Sequence, residues 1–169
     1  MKEIMEIACG DAFGNGKLPD KFDDDKKAPD VLNMMAKWIR DERHIFTRQH
    51  ILKLLVPMSK SYPKKAWSKN ANKFADGIIM NQWSEKKPGF NQYVTPALLG
   101  VYKASGTKLS KWRDYLVDAM KSPVGQVRRC VWDFLGKCCM IGGTKDVKSF
   151  VSGNIADILK DTIINDKEK

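Results

Sequence analysis

The chain has 169 residues, of which 43% are hydrophobic and 30% charged, and its formal net charge is +10. This composition is typical of a folded protein with a sizeable core and excludes a disordered one. No apolar run approaches the ~20 residues that a transmembrane helix needs, and the chain does not begin with the apolar stretch of a signal peptide. We therefore expect an intracellular protein, cytoplasmic or nuclear.

The N-terminal segment, residues 1–27, is predicted to be mostly irregular. Four residues that break helices interrupt it, namely Gly10, Gly14, Gly16 and Pro19. The segment ends with the acidic run Asp23-Asp24-Asp25. We expect an acidic, glycine-containing segment over 1–27, a single helical domain over 28–165 and a frayed tail over 166–169.

The rest of the chain predicts about seven helices, because apolar residues recur at helical spacing and no run alternates as a strand does. The first two helices are expected over 29–43 and 47–56, with Thr47 as an N-cap and Pro57 ending or kinking the second. The later helices are predicted to open at Pro63, Thr95-Pro96, Ser110, Ser122-Pro123 and Thr144. The predicted fold class is all-α, as a compact bundle or a short stack of helices.

The positive charge is concentrated in the middle of the chain. Residues 43–113 contain 14 cations and two carboxylates, whereas residues 1–42 have a net charge of −3. From Arg43 to Ala75 there are eight cations and no carboxylate. Solubility alone is served by mixed signs, so this distribution favours a polyanionic partner.

Three lysines of the third predicted helix, Lys65, Lys69 and Lys73, stand at i, i+4 and i+8 and therefore share one face. Lys60 and Lys64 extend the cluster, and Asn70 and Asn72 are expected to add uncharged donors. An anion along this face would relieve the repulsion between the lysines. The predicted nucleic-acid-binding residues are Arg43, Arg48, Lys53, Lys60, Lys64, Lys65, Lys69 and Lys73.

A second binding mode is possible at the first two helices, which a short turn joins as in a helix-turn-helix. Arg48, Gln49, His50 and Lys53 would then lie at the start of a recognition helix, where base edges are read. Four of the five tryptophans lie at core positions of their predicted helices. Trp132, at the rim of its apolar stripe, is expected to pack against a second neighbour.

Enzymatic signatures are weak. Asp11 and Leu18 stand where a phosphate-binding loop needs glycine and Ser/Thr. The four cysteines, Cys9, Cys130, Cys138 and Cys139, have no C-x-x-C spacing, so we expect reduced thiols and no metal site. The only histidines, His44 and His50, are expected near a helix start. No cofactor is expected, and an enzyme is the least favoured class.

Residues 112–136 resemble a HEAT-type helical repeat. A helix containing Leu116-Val117-Asp118-Ala119-Met120 leads into the turn Ser122-Pro123, and the next helix carries the pair Val127-Arg128. The resemblance implies a curved helical stack that binds a protein or a nucleic acid on one face. HEAT-like folds also include DNA glycosylases, whose active-site pattern is not seen here.

Three functions are therefore considered. The leading hypothesis is a non-catalytic module that binds DNA or RNA through the basic middle of the chain. The alternative is a protein-interaction scaffold that binds an acidic partner, or whose own acidic segment folds across the basic face. A DNA-processing enzyme ranks third.

Overall fold

A computed structural model describes residues 28–41, 44–80, 83 and 91–166. In these ranges the chain forms seven α-helices and no β-strand, which confirms the predicted all-α class. The helices are α1 Ala28–Asp41, α2 Ile45–Ser61, α3 Lys64–Ala75, α4 Asn91–Ser105, α5 Arg113–Met120, α6 Gly125–Cys138 and α7 Thr144–Asp166. The predicted acidic segment over 1–27 and the last three residues of the tail lie outside the described residues.

Three short segments adjoin these helices. A π-helical turn follows α3 at Asp76–Met80, and a 3₁₀ turn at Leu109–Trp112 leads into α5. After α6, the chain bends at Cys139–Gly143, where Ile141 and Gly142 leave helical geometry and Gly142 has a φ of +93°. The chain divides into two compact units, Met1–Thr107 and Lys108–Lys169. The single helical domain expected over 28–165 stays a prediction.

The first unit is held together by the apolar faces of α1 to α4. Helix α2 packs on α4, and α3 packs on both α1 and α4. Trp67 and Phe74 of α3 are fully buried, and their ring centroids lie 5.7 Å apart. Burial of each large apolar side chain contributes roughly 1.5–3 kcal/mol, so this face of α3 fixes which side of the helix faces outward.

The second unit is built from α5, α6 and α7 around the buried face of α6. Phe134 of α6 lies 6.3 Å from Trp112, measured between ring centroids, and both are fully buried. Asp146 of α7 accepts a hydrogen bond from the backbone N–H of Leu109 at 3.0 Å. This bond fastens the 3₁₀ turn to α7.

The helix start predicted at Thr95-Pro96 is wrong, and α2 does not end at Pro57. Helix α2 begins at Ile45, with His44 as its N-cap rather than Thr47, and it continues through Pro57 to Ser61. Helix α4 begins at Asn91, so Thr95 and Pro96 lie inside it instead of opening it. An interior proline costs a helix ~3 kcal/mol, but buried apolar residues flank both prolines on each side. Their packing favours the continuous helix.

The predicted N-caps of the later helices are also displaced. Ser110 lies within the 3₁₀ turn, and α5 begins three residues later at Arg113. Helix α6 begins at Gly125, just after the predicted Ser122-Pro123. Thr144 is the first residue of α7, and its hydroxyl donates to the carbonyl of Cys139 at 3.3 Å.

Candidate functional site

The outer face of α3 carries the lysine ridge, which we define as Lys65, Lys69 and Lys73. All three side chains are exposed, whereas Trp67 and Phe74 on the opposite face are fully buried. An α-helix rises 1.5 Å per residue, so successive lysines stand about 6 Å apart along the axis and the ridge is about 12 Å long. Packing of the apolar face therefore holds three like charges in a row at the surface.

Lys73 is held in place by the neighbouring helix α1. Its ammonium Nζ donates a hydrogen bond to the side-chain oxygen Oδ1 of Asn33 at 2.6 Å. Because Asn33 is neutral, this bond orients the lysine without cancelling its charge. The ridge thus has one end anchored across two helices.

Lys64, the first residue of α3, folds over the C-terminal end of α4. Its Nζ lies 2.7 Å from the position that a Cβ atom would occupy on Gly106, and Gly106 has a φ of +61°. The backbone N–H of Gly106 donates a hydrogen bond of 3.1 Å to the carbonyl of Tyr102. This bond ends α4. A cation at a helix C-terminus is favoured by the helix dipole, so the end of α4 stabilises this position of the Lys64 ammonium.

No described carboxylate neutralises this group of lysines. The ion pairs seen among residues 28–41, 44–80, 83 and 91–166 join Arg40 to Asp41, Arg113 to Asp114 and Lys137 to Asp133. The hydrogen bond from Arg40 lowers the pKa of the Asp41 carboxyl below its ordinary value. Asp41, the last described acid before the basic stretch, is therefore already paired.

The remaining predicted binding residues are not all as accessible as the ridge. Lys60, in the last turn of α2, is exposed. The Nζ atom of Lys53 lies 4.5 Å from the centre of the Tyr93 ring, a cation–π contact within the first unit. Arg48 is half-buried, and Arg43 lies outside the described residues.

At the start of α2, the predicted recognition helix, several side chains contact one another or the backbone of the same helix. The ring nitrogen Nδ1 of His50 lies 2.7 Å from the carbonyl oxygen of Phe46, and the ring of His44 lies 5.6 Å from that of Phe46. Both histidines lie at the helix start, as expected. With Lys53 held by Tyr93, this surface offers fewer exposed cations than the ridge.

Asn70 is a correction to the predicted surface donors. Its side chain is 4% exposed and donates to the carbonyls of Pro29 at 3.3 Å and Ala66 at 3.2 Å. Asn70 therefore joins α3 to the start of α1 and does not face a partner. Its position among apolar residues, one turn from Ala66 and Phe74, is the signal that would have placed it inside.

Trp132 on α6 is exposed against expectation, and Trp38, predicted at a core position, is only partly buried. Trp67, Trp83 and Trp112 are fully buried, whereas Trp132 is 49% exposed. The expected second neighbour does not cover it. A position at the rim of an apolar stripe does not reveal whether another element lies beside it, and here half of the indole faces outward.

The helix pair that resembles a HEAT repeat is formed by α5 and α6, which pack against each other. Arg128, from the Val-Arg pair, donates from Nη1 to the carbonyl of Ser122 at 2.6 Å and so braces the turn between the two helices. Packed helices are what such a repeat requires, but they are common to many helical folds.

The described cysteines are buried or partly buried thiols. Cys130 and Cys138 are buried, and Cys139 is partly exposed. Burial raises the pKa of the Cys138 thiol to about 12 and also raises that of Cys130. Within the described ranges, no group of three or more His, Cys, Asp or Glu side chains could hold a metal ion. No helix in those ranges combines the length and apolarity that crossing a membrane demands.

Comparisons with protein-family models, with curated proteins and with solved structures find no match to this chain. The functional argument therefore rests on the side chains of the described residues, and the resemblance to a HEAT-type repeat rests on residues 112–136 alone.

Proposed function

We propose that the protein binds nucleic acid through the lysine ridge, with Lys60 and Lys64 adding to the contact. The observation that carries the proposal is a row of exposed lysines on α3 that no described carboxylate neutralises. A sugar–phosphate backbone is the partner whose charge is also regularly spaced in a row. The contacts are to phosphate, so recognition depends only weakly on sequence.

Helix α3 bears an energetic cost that an anion relieves. Like charges at i, i+4 destabilise a helix by about 0.2–0.5 kcal/mol per pair, and the ridge has two such pairs. Lys64 and Lys65 also occupy the first turn of α3, where no acidic residue is present. Cations there oppose the helix dipole. Phosphates along the ridge turn both unfavourable terms into favourable ones.

The dimensions of the ridge suit a duplex or a single strand. Duplex DNA carries one charge per ~3.4 Å of axis on each strand, so the ~12 Å ridge spans about four phosphates of one strand. If all five lysines contact phosphates, the slope of log K against log salt is about −4.5 on duplex DNA. Between about 50 and 200 mM salt, affinity then falls roughly 500-fold.

The test is a double charge reversal, Lys65→Glu with Lys69→Glu. Both side chains are exposed on α3, and neither is involved in the packing of the buried face. We expect duplex and single-strand binding, measured by fluorescence anisotropy, to weaken by at least about tenfold and the salt slope to flatten by about 2. Circular dichroism checks that the variant keeps its helices.

The matched control is Lys145→Glu with Lys148→Glu on α7. These lysines are also exposed, and the control lowers the net charge from +10 to +6 just as the ridge variant does. The control should lose less than about threefold in affinity, because only the overall field of the protein changes. Equal losses in both variants would show that net charge, and not the ridge, governs binding.

An acidic protein partner is separated from nucleic acid by the same titration. If a poly-glutamate peptide binds the ridge more tightly than any oligonucleotide does, the scaffold hypothesis replaces this proposal. If the wild-type protein binds no DNA or RNA at low salt, the nucleic-acid hypothesis is wrong.

A further inference from the structure

The exposed indole of Trp132 lies beside cations that no described acid neutralises. Arg129 and Arg128 precede Trp132 on α6 by three and four residues, which places them one helical turn away on the same side. Neither arginine forms an ion pair within the described part of the chain. Arg128 is fixed by its bond to the Ser122 carbonyl at 2.6 Å.

The acidic residue next to Trp132 is already neutralised. Asp133 accepts a hydrogen bond from Lys137 at 2.8 Å, one turn further along α6. The first turn of α6 contains no acid that would offset the two arginines. The surface at this end of the indole is therefore positive.

Gly136 leaves the other side of the indole open. It stands four residues after Trp132, and a Cβ atom built on Gly136 would meet no atom within 4 Å. Long helical side chains lean toward the residue four positions earlier, so a long side chain at 136 would extend toward Trp132. Packing does not require glycine at this position, and the helix would be more stable with alanine.

We propose that Trp132 is a stacking platform for one unpaired base, with Arg128 and Arg129 contacting the adjoining phosphates. A half-exposed aromatic ring beside cations is the combination by which proteins bind single strands without reading sequence. This inference rests on the proposed nucleic-acid function and makes it more specific, because it identifies the ligand as single-stranded DNA or RNA. A base inside a duplex has no free face to offer the indole.

The test compares Trp132→Leu and Trp132→Phe, using a short oligothymidylate and a duplex of equal length as probes. We expect Trp132→Leu to weaken single-strand binding by about 5- to 100-fold, the loss of one base stack. Duplex binding, which depends on the lysine ridge, should change less than about twofold. Trp132→Phe keeps an aromatic face and should retain most of the single-strand affinity.

A second variant, Gly136→Leu, separates loss of binding from loss of folding. Leucine has a higher helix propensity than glycine, so the thermal midpoint should rise. The added side chain covers the indole, so single-strand affinity should fall although the protein is more stable. Intrinsic fluorescence supplies a readout once the emission of Trp132→Phe is subtracted, because Trp38 is also partly exposed, whereas Trp67, Trp83 and Trp112 are fully buried.

The outcomes are distinct for the two proposals. Single-strand binding that survives both Trp132→Leu and Gly136→Leu overturns the stacking platform and leaves the ridge untouched. Suppose that neither variant loses affinity for either probe, and that poly-glutamate but no oligonucleotide changes the Trp132 emission of the wild-type protein. The surface then binds an acidic protein instead. If the wild-type protein binds neither probe at low salt, both proposals fail.

Discussion

At the scale of single residues, two neighbouring cysteines have different environments. Cys138 is fully buried on the inner face of α6, and Cys139 begins the bend that follows α6, with its side chain partly exposed. Burial raises the pKa of Cys138 to about 12, with smaller contributions from Cys139 and Asp146. Thiolate is the reactive form of cysteine. Burial therefore makes Cys138 unreactive in two ways, because it keeps reagents out and because it keeps the thiol protonated.

Alkylation should therefore separate the two thiols. In native protein at about pH 8.5, iodoacetamide should modify Cys139 at least about tenfold faster than Cys138, because Cys139 is partly exposed whereas Cys138 is fully buried with a raised pKa. Peptide mass spectrometry after timed quenching measures both rates in one sample. The difference should vanish in denaturant. Equal rates in the native protein would show that α6 opens readily around Cys138.

The same thiol gives a pH dependence of stability. The folded pKa of Cys138, about 12, lies above its ordinary value of 9.0, so the folded state holds this proton more tightly than the unfolded state. Its contribution to the free energy of unfolding is complete below pH 9 and is lost as pH rises toward 12. Denaturation curves of wild type and Cys138→Ala across that range should converge as pH rises.

At the scale of helices, tertiary packing has overridden the strongest local signal for a helix end. Pro57 lies inside α2 and Pro96 inside α4, although proline removes a backbone donor and crowds the preceding turn. Met58 directly follows Pro57 and is buried, as are Leu54 and Leu55 before it. Ending α2 at Pro57 would withdraw Met58 from the core.

Replacing Pro57 by alanine should stabilise the protein. The change restores a backbone N–H inside α2, and the expected gain in the free energy of unfolding is about 1–2 kcal/mol, part of the ~3 kcal/mol helix cost being offset by a more flexible unfolded chain. Chemical denaturation measures the gain. Pro63→Ala is the control, because Pro63 is the exposed N-cap of α3 and disturbs no interior bond. A lower stability for Pro57→Ala would mean that the proline ring itself packs in a required place.

The helices could be predicted from sequence to the extent that apolar periodicity determines them. The buried residues of α3 and α6 follow i, i+3, i+4 spacing. The sequence therefore predicts both that these segments are helical and which side of each helix is buried. The start of α4 could not, because Thr95-Pro96 has the local chemistry of a helix start. What decides against it is burial of Thr95, at 3% exposure, which depends on helices distant in sequence.

The candidate site was predicted in its spacing but not in its contacts. Lys65, Lys69 and Lys73 share a face because of helix geometry alone, and this is visible in the sequence. The bond of Lys73 to Asn33 joins residues 40 positions apart, and Lys64 rests on Gly106. Such contacts follow from how the helices pack, and no local pattern encodes them.

At the scale of the whole molecule, charge is distributed unevenly along the chain. Residues 43–113 carry +12, residues 1–42 carry −3 and residues 114–169 carry +1. A strongly basic central segment raises the rate at which anionic partners associate. Acidic residues of the same chain can compete with those partners for the basic surface. The acidic run Asp23-Asp24-Asp25 is the densest group of carboxylates in the sequence, so we propose it as an internal competitor for the lysine ridge.

If the acidic run competes, neutralising part of it should tighten binding of nucleic acid. We expect Asp23→Asn with Asp24→Asn to raise affinity for a short oligonucleotide at least about threefold at low salt, and the gain should shrink at high salt as exposed charges are screened. Asp114→Asn with Asp118→Asn is the control, because it also raises the net charge from +10 to +12 at exposed sites. The same gain in both variants would trace the effect to total charge. A gain confined to the first, and absent when the lysine ridge is reversed by Lys65→Glu with Lys69→Glu, would place the competition on α3.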